Sequence, residues 1–377
     1  MIGVFATMSI ALSSTARGDD PEPELGRYKA HVATLASREY AGRRGAGGVK
    51  AATYVGRELK ALGLEPGFGG DYVQDVPAAD GRGVIGHNVA AKLEGSDPAL
   101  RDEWIIIGAH FDHLGRSGSD YYPGADDNAS GVAMMLEVAR CMASAEARPR
   151  RSVLFVGFDL EEYGLLGSRY FVEHPPMPLA KIKLFVTADM IGRSLGGVCD
   201  GLVFVFGTQT SPGVKRFVDE AAARQPIRLA PLGNDVLIID RSDYGPFRGH
   251  SIPYLFFSTG ENPCYHERTD TSDTLDYDTA LAATRVVLGV IRRAACAPEL
   301  KPWNGTTQPT LGEALAVRDV LRAMQENHQK LAISAAGLFV LRTTLANLDG
   351  IAARGAVTPG ERARLVRAAQ FLMATVF

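Results

Sequence analysis

Side chains that can bind metal ions follow several short apolar runs of the sequence. Such runs are typical of buried strands, and in an open α/β sheet ligands gather just beyond the carboxyl ends of the strands. Histidine and carboxylate groups without cysteine form a donor set that suits Zn²⁺, with Mn²⁺ or Co²⁺ as substitutes. The candidates are His110, Asp112 and His113 after WIIIGA, Glu161 and Glu162 after VLFVGFDL, Asp189 after KLFVTA, and His266 after IPYLFFSTGENPCY.

Two adjacent aspartates, Asp126 and Asp127, lie among small residues in the stretch GADDNASG. Like charges this close raise each other's cost of ionisation unless a cation lies beside them. Together with the strand-end groups they exceed what one tetrahedral ion needs. The sequence therefore predicts two metal ions about 3.5–4 Å apart, with one carboxylate that bridges them.

The elements that must position these residues alternate between strands and helices. Apolar, β-branched or aromatic runs predict strands at 103–110, 152–159, 183–189, 202–207 and 252–260. Helices are predicted at 46–66, 129–145, 167–173 and 212–224, either because apolar residues recur at helical spacing or because the segment lies between two predicted strands. This alternation predicts an α/β fold with a mixed, mostly parallel central sheet flanked by helices.

The C-terminal part of the chain, from Thr310 onward, is rich in Ala, Leu and Arg and predicts about three helices. Thr310 with Glu313, and Thr358 with Glu361, fit capping boxes, and Gly350 is expected to end a helix. The sequence leaves open whether these helices shape a cleft, mediate assembly or cover an apolar face.

Length and composition are those of a globular protein with one large domain and an appendage, or with two modest domains. The chain has 377 residues, 46% of them hydrophobic and 22% charged, with a formal net charge of -3. This charge balance makes nucleic acid an unexpected partner. We expect a main domain at 19–300 and a helical extension at 301–377; the composition makes no prediction of the oligomeric state.

The N-terminus carries an apolar stretch at 2–12 followed by the small residues SSTA. This pattern predicts a signal peptide at 1–18 and a secreted or periplasmic protein, although the positively charged start of such peptides is missing. No later apolar run reaches the roughly 18–20 residues that a membrane-spanning helix needs. The four cysteines form no recognisable framework.

Six motifs occur together in the order GAHFDHLG, PGADDNASG, FDLEEYGLLGS, TADMIGR, SDYGPF and YHERTDTSDTL. In this order and context they resemble the M28 family of zinc peptidases, which includes bacterial aminopeptidases with two zinc ions. The resemblance runs from about Leu35 to about Cys296. It implies that Asp126 bridges both zinc ions, with the remaining ligands His110 and Asp189 at one ion and Glu162 and His266 at the other.

The resemblance also implies the roles of residues around the ions. Glu161 would be the general base, and Tyr265 would stabilise the oxyanion. Asp112 is expected to accept the free N–H of His110, and Asp127 to lie beside the ions without binding them directly. A cis peptide bond, which follows the bridging aspartate in the family, is expected at Asp126–Asp127.

Three positions depart from the family pattern or carry no role in it. Relatives often have histidine where this chain has Tyr244, and aspartate where it has Cys264. Neither position is a direct ligand, so these departures put only the detail of the pocket in doubt. His113 is interpreted as an ordinary loop histidine.

The function expected from this resemblance is a zinc-dependent aminopeptidase that acts on peptides with a free N-terminus. One alternative is a carboxypeptidase in which Arg193 binds the substrate carboxylate. Others are a relative of glutaminyl cyclase with one zinc ion and a non-catalytic ectodomain on the same scaffold.

Overall fold

A computed structural model describes residues 20–236, 239–305 and 309–376. The predicted signal peptide at 1–18 lies outside these residues. The strands are β1 Glu65–Pro66, β2 Val73–Pro77, β3 Val84–Leu93, β4 Trp104–His110, β5 Arg116–Ser117, β6 Asp120–Tyr121, β7 Ser152–Phe158, β8 Ile182–Ala188, β9 Leu202–Phe206, β10 Arg228–Leu232 and β11 Tyr254–Ser258. The α-helices are α1 Leu25–Leu35, α2 Ala46–Ala61, α3 Gly131–Ala143, α4 Leu166–Glu173, α5 Pro212–Ala222, α6 Tyr244–Gly249, α7 Tyr277–Cys296, α8 Leu311–Glu326, α9 Ala335–Arg354 and α10 Pro359–Val376.

Four parallel strands in the middle of the main sheet determine where functional residues can gather. β4 pairs in parallel with β7 on one side and with β8 on the other, and β11 is parallel to β8. The full order is β1-β3-β7-β4-β8-β11-β9-β10, with β2 paired to β3. Because β7, β4, β8 and β11 are parallel, their carboxyl ends meet at one edge of the sheet.

Apolar side chains alternate between the two faces of this sheet, and each face has its own core. Along β9, Val203 and Val205 join a cluster with α1, α2, α3, α5 and α7. Phe204 and Phe206 point the other way and join a cluster with α4, α6, α8, α9 and α10. Helices therefore cover both faces, and the predicted fold class is confirmed.

All five predicted strands are present, but the edge strands were not predicted. β10 contains Pro231, and a proline interrupts the usual strand signal because it cannot donate a ladder hydrogen bond. The expectation that Gly350 ends a helix is wrong. α9 continues to Arg354 and ends at Gly355, whose φ of 69° suits glycine.

Three helices follow Thr310, as the capping patterns predicted. The Thr310 side chain accepts a hydrogen bond from the Glu313 N–H and so caps the start of α8. Across the described ranges, no helix combines the length and apolar composition needed to cross a membrane.

Candidate metal centre and active site

The four parallel strands bring the residues that follow them to one edge of the sheet. His110 is the last residue of β4, and Asp189 directly follows β8. Glu161 and Glu162 lie in a short turn after β7, and His266 lies in the loop after β11. The structure thus brings together all five of these predicted residues.

A first group of ligand atoms surrounds the buried ring of His110. His110 Nε2 lies 3.3 Å from Asp189 Oδ1 and 3.4 Å from Asp127 Oδ1. Glu161 also belongs to this group, since His110, Glu161 and Asp189 offer ligand atoms within 4.8 Å of one another.

A second group lies on the other side of Asp127. His266 Nε2 is 3.1 Å from Glu162 Oε2 and 3.2 Å from Asp127 Oδ2. The carboxylate of Asp127 therefore directs Oδ1 toward His110 and Oδ2 toward His266. This is the arrangement that a carboxylate shared by two metal ions requires.

The two adjacent aspartates lie in surroundings that differ from those expected from the sequence. Asp126, the expected bridging residue, has a buried carboxylate that accepts hydrogen bonds from the Gly192 N–H at 2.7 Å and from Asn262 Nδ2 at 3.1 Å. Its neighbour Asp127 lies between the histidines instead. The cis peptide bond is likewise one residue further along, at Asp127–Asn128. The two side chains leave the backbone in different directions, which the sequence of two identical residues does not reveal.

His113 also lies in the second group, contrary to its interpretation as an ordinary loop residue. Its ring is fully buried, with Nδ1 at 2.7 Å from Glu162 Oε1 and 3.7 Å from Asp127 Oδ2. Nε2 has no hydrogen-bond partner among the described residues. His113 could have been predicted as a member of this group from its position in the loop after β4, at the same strand end as His110.

Asp112 contacts residues of both groups. Its Oδ1 lies 3.5 Å from His110 Nδ1, at the outer limit of a hydrogen bond. Its two carboxylate oxygens also accept the backbone N–H groups of Glu161 at 3.0 Å and Glu162 at 3.2 Å. Asp112 therefore fixes the turn that carries both glutamates, as well as facing the histidine.

The loop that carries Asp127 is held by Asp270, a residue that the sequence did not indicate. Asp270 accepts the backbone N–H groups of Asp126 and Asp127 at 2.9–3.1 Å. Arg193 donates to Asp270 at 3.0 Å and to the Thr271 carbonyl at 3.1 Å. The guanidinium of Arg193 is thus bonded to the segment that holds the Asp127 loop.

The buried carboxylates at this edge of the sheet are costly to ionise when no cation lies beside them. Burial raises the pKa of Asp127, and the nearby Glu162 raises it further. Burial likewise raises the pKa of Glu161 well above its usual value. Burial lowers the pKa of His110, but Asp189 and Glu161 outweigh this effect and raise it well above the ordinary value.

The donor set fits zinc. Buried carboxylates that repel one another are stabilised by a cation between them. Imidazole and carboxylate groups in two clusters that share one aspartate match the ligands that Zn²⁺ takes in hydrolytic sites.

A cavity of about 420 Å³ opens onto this edge. Its polar end is formed by Asp127, Glu161, Glu162, Asp189, Tyr265 and His266. The Tyr265 ring stacks on His266 with centroids 3.9 Å apart, and burial raises its pKa. Arg193 is not among the lining residues. The remaining lining is mostly apolar, which is typical of a small-molecule pocket with a few convergent polar groups.

Comparison with protein families matches residues 88–291 of the chain to peptidase family M28. This segment is more than half of the chain and contains every residue of the two groups. Leupeptin-inactivating enzyme 1 of Streptomyces exfoliatus is 29% identical over 66% of this chain and 52% of its own length. An aminopeptidase of Pseudomonas aeruginosa is 30% identical over 51% of this chain and 38% of its own. The chain thus spans about half, or less, of these curated relatives.

Solved structures share the fold at low sequence identity. An aminopeptidase from Aneurinibacillus sp. strain AM-1 has a TM-score of 0.59 at 17% identity, with 76% of this chain and 97% of that chain covered. A Zn-dependent exopeptidase from Parabacteroides distasonis has a TM-score of 0.59 at 22% identity, with 72% and 99% covered. A glutaminyl cyclase from Bacteroides thetaiotaomicron has a TM-score of 0.58 at 20% identity, with 73% and 99% covered. Since the family model spans the whole ligand set, the chain belongs to peptidase family M28.

Proposed function

We propose that this protein is a zinc-dependent aminopeptidase that removes the N-terminal residue of peptides at a two-zinc site. The observation that carries the proposal is the orientation of Asp127, with one carboxylate oxygen toward His110 and the other toward His266. A bridging carboxylate of this kind is what a pair of metal ions needs.

The two groups of side chains define how the ions would be held. His110, Asp127 and Asp189 would hold one zinc ion, and Asp127, Glu162 and His266 the other. His113 Nδ1–H donates to Glu162 Oε1 at 2.7 Å and positions that carboxylate. When bound, the ions would supply Lewis acidity and lower the pKa of a water molecule.

Glu161 is the proposed general base. Its carboxylate lines the cavity beside the ligand atoms, and Asp112 holds its backbone through the hydrogen bond to the Glu161 N–H. From this position it would accept a proton from water and give it to the amine that leaves. Tyr265, which also lines the cavity, would donate its O–H to the oxygen of the scissile carbonyl as negative charge develops there.

The proposed preference for a free N-terminus rests on the charges at the polar end of the cavity. The carboxylates of Glu161 and Asp189 line this end and would attract the substrate ammonium. The carboxypeptidase alternative required Arg193 in the cleft, and that residue is bonded to Asp270. The names of the relatives from Pseudomonas aeruginosa and Bacillus subtilis, both called aminopeptidases, support the same choice.

The proposal is tested with short peptides in four combinations of free and blocked ends, with and without a chelator, and products are identified by mass spectrometry. We expect loss of one N-terminal residue from peptides with a free amine, abolished by chelation and restored by zinc. Cleavage that needs a free C-terminus would contradict the proposal in favour of a carboxypeptidase.

Metal analysis separates the remaining alternatives. Two zinc ions per chain are expected for the proposed enzyme. One ion, together with cyclisation of an N-terminal glutamine and no hydrolysis, would indicate a glutaminyl cyclase activity instead. Two ions without any reaction would favour the non-catalytic ectodomain.

Export from the cytoplasm is a separate part of the proposal and rests on the sequence at 1–18. If the segment is a signal peptide, N-terminal sequencing of the protein recovered from the periplasm or medium will find a start near residue 19. An uncleaved protein that stays in the cytoplasm would contradict this part alone.

A further inference from the structure

The three C-terminal helices lie outside the segment that matches the family, which ends at residue 291. They nevertheless belong to the core of the protein. Val317, Leu321 and Met324 of α8 share one hydrophobic cluster with Phe204 and Leu232 of the sheet. α8 therefore packs directly on the sheet, next to the edge strand β10.

One stripe of α8 also lines the cavity that holds the candidate catalytic residues. The stripe consists of Val317, Val320, Leu321 and Met324, which follow the i, i+3, i+4, i+7 spacing of one helix face. Ala369 of α10 reaches the same cavity. The family segment supplies the polar end, and the extension supplies much of the apolar wall.

The sheet contributes to the same apolar region. Phe204 and Phe206 of β9 and Phe256 of β11 also line the cavity. Two further charged lining residues, Arg241 and Glu261, form an ion pair with each other. A charged substrate side chain in this region would lose water without finding a free partner of opposite charge.

A buried ion pair between Glu313 and Arg362 helps to fix α8 in this position. Glu313, in the first turn of α8, accepts the Gly233 N–H at 2.7 Å and bonds of 2.6 and 2.8 Å from Arg362. Arg362 of α10 also pairs with Asp235 at 2.6 Å. The helix is thus tied to the loop after β10 and to α10, so the apolar stripe forms a fixed wall.

We propose that α8, supported by α10, forms one wall of the pocket for the side chain of the substrate's N-terminal residue, and that this residue is large and apolar. This inference rests on the proposed aminopeptidase function and deepens it. The ammonium would lie at the carboxylate end while the side chain extends between α8 and the phenylalanines. The extension therefore sets the specificity of a site whose chemistry belongs to the family segment.

Two substitutions with opposite effects on the size of the pocket test the proposal. Val320 is half-buried, so Val320→Phe adds bulk at the wall without entering the centre of the core. Met324→Ala removes volume from the same wall. Arg322→Ala, on the exposed side of α8, is the matched control.

The readout is kcat/KM for a panel of p-nitroanilides of alanine, leucine, phenylalanine and lysine. In the wild-type protein we expect leucine and phenylalanine to be preferred about tenfold or more over alanine and lysine. Val320→Phe should lower the value for leucine and phenylalanine by about tenfold, with alanine changed by less than about threefold. Met324→Ala should shift the preference from leucine toward phenylalanine, and Arg322→Ala should match the wild type.

A binding measurement separates failure of this inference from failure of the proposed function. Calorimetry with free leucine and free alanine on the zinc-loaded protein reports on the pocket even if no peptide is cleaved. If leucine binds more tightly than alanine and Val320→Phe abolishes this difference, the proposed side-chain pocket is supported. If the protein binds leucine in this way but cleaves no peptide, only the aminopeptidase function is contradicted. The inference would be overturned if the wild type had equal kcat/KM for leucine, alanine and lysine substrates. It would also be overturned if folded Val320→Phe and Met324→Ala lost kcat/KM equally for all substrates.

Discussion

The adjacent residues Asp126 and Asp127 differ in what surrounds their carboxylates. Asp127 lies between His110 and His266, whereas Asp126 is bonded to the Gly192 N–H and to Asn262. The same side chain can therefore face the candidate metal ligands at one position and the protein scaffold at the next.

Substitution of each aspartate by asparagine distinguishes these two roles. Asp127→Asn should lose bound zinc and activity together, because an amide is a poor bridge between two cations. Asp126→Asn should retain the zinc but lose about 1–3 kcal/mol in free energy of unfolding, since a buried acceptor is impaired. Metal analysis and chemical denaturation measure both effects. If Asp126→Asn lost zinc and Asp127→Asn retained it, Asp126 would be the bridging residue, as the sequence predicted.

The two adjacent glutamates allow a similar comparison. Glu161→Gln should lower kcat by about 10²–10⁴-fold while zinc remains bound, because the proposed base is removed but the ligands are kept. Glu162→Gln should lose zinc as well as activity, since its Oε2 lies 3.1 Å from His266 Nε2 in the second group. Steady-state kinetics with metal analysis of both variants is the measurement. A Glu161→Gln variant with unchanged kcat would exclude this residue as the base.

At the residue scale, the sequence was informative where side chains follow buried strands. His110 and Asp189 could be predicted in this way because the strand direction determines where such residues gather. The choice between Asp126 and Asp127 could not be predicted, because it depends on backbone direction within one loop. Asp270 could not be found either, since it holds that loop from more than 140 positions away in sequence.

At the element scale, α8 depends on a buried charge cluster at its start. Glu313 was predicted as part of a capping box, yet its carboxylate bonds to the Gly233 N–H and to Arg362. The capping pattern thus predicted the helix start, which the Thr310 hydroxyl does cap. The packing of the helix was not predictable, because Gly233 and Arg362 come from distant parts of the chain.

Replacement of Arg362 should uncouple the helices from the sheet. Arg362→Met leaves Glu313 buried without its charged partner, and loss of one partner of such a pair costs about 3–5 kcal/mol in free energy of unfolding. Arg354→Met, which breaks the exposed pair with Glu361, is the control and should cost much less, because exposed ion pairs are screened by water. Denaturant unfolding compares the two variants. Equal stability of both would show that the buried cluster does not anchor the extension.

The outer strands of the sheet were not predicted from the sequence, and their composition explains why. The central strands β4, β7 and β8 read as continuous apolar runs because both of their faces are buried. β2 and β10 are shorter, partly exposed and contain proline, so their composition resembles that of a loop. Burial on both sides is therefore what made the middle of the fold predictable.

At the scale of the whole molecule, the extension covers an apolar face of the sheet and borders the cavity. The sequence left open whether these helices shape the cleft, mediate assembly or cover an apolar face. The structure supports two of these roles at once, since α8 packs on Phe204 and Phe206 and also lines the cavity. The candidate ligand residues thus lie in the family segment, while part of the apolar lining of the same cavity comes from the extension.

Truncation of the chain before Thr310 tests this view of the whole molecule. Removal of α8–α10 would expose Phe204, Phe206, Leu232 and Phe256 on one face, and contiguous apolar patches beyond a few hundred Å² are rare on monomeric proteins. We therefore expect the truncated protein to aggregate and to bind a hydrophobic dye, as measured by light scattering and dye fluorescence. The full chain under the same conditions is the control. A monodisperse truncated protein with unchanged activity toward leucine substrates would show that the helices are dispensable both as a cover for the sheet and as a wall of the pocket.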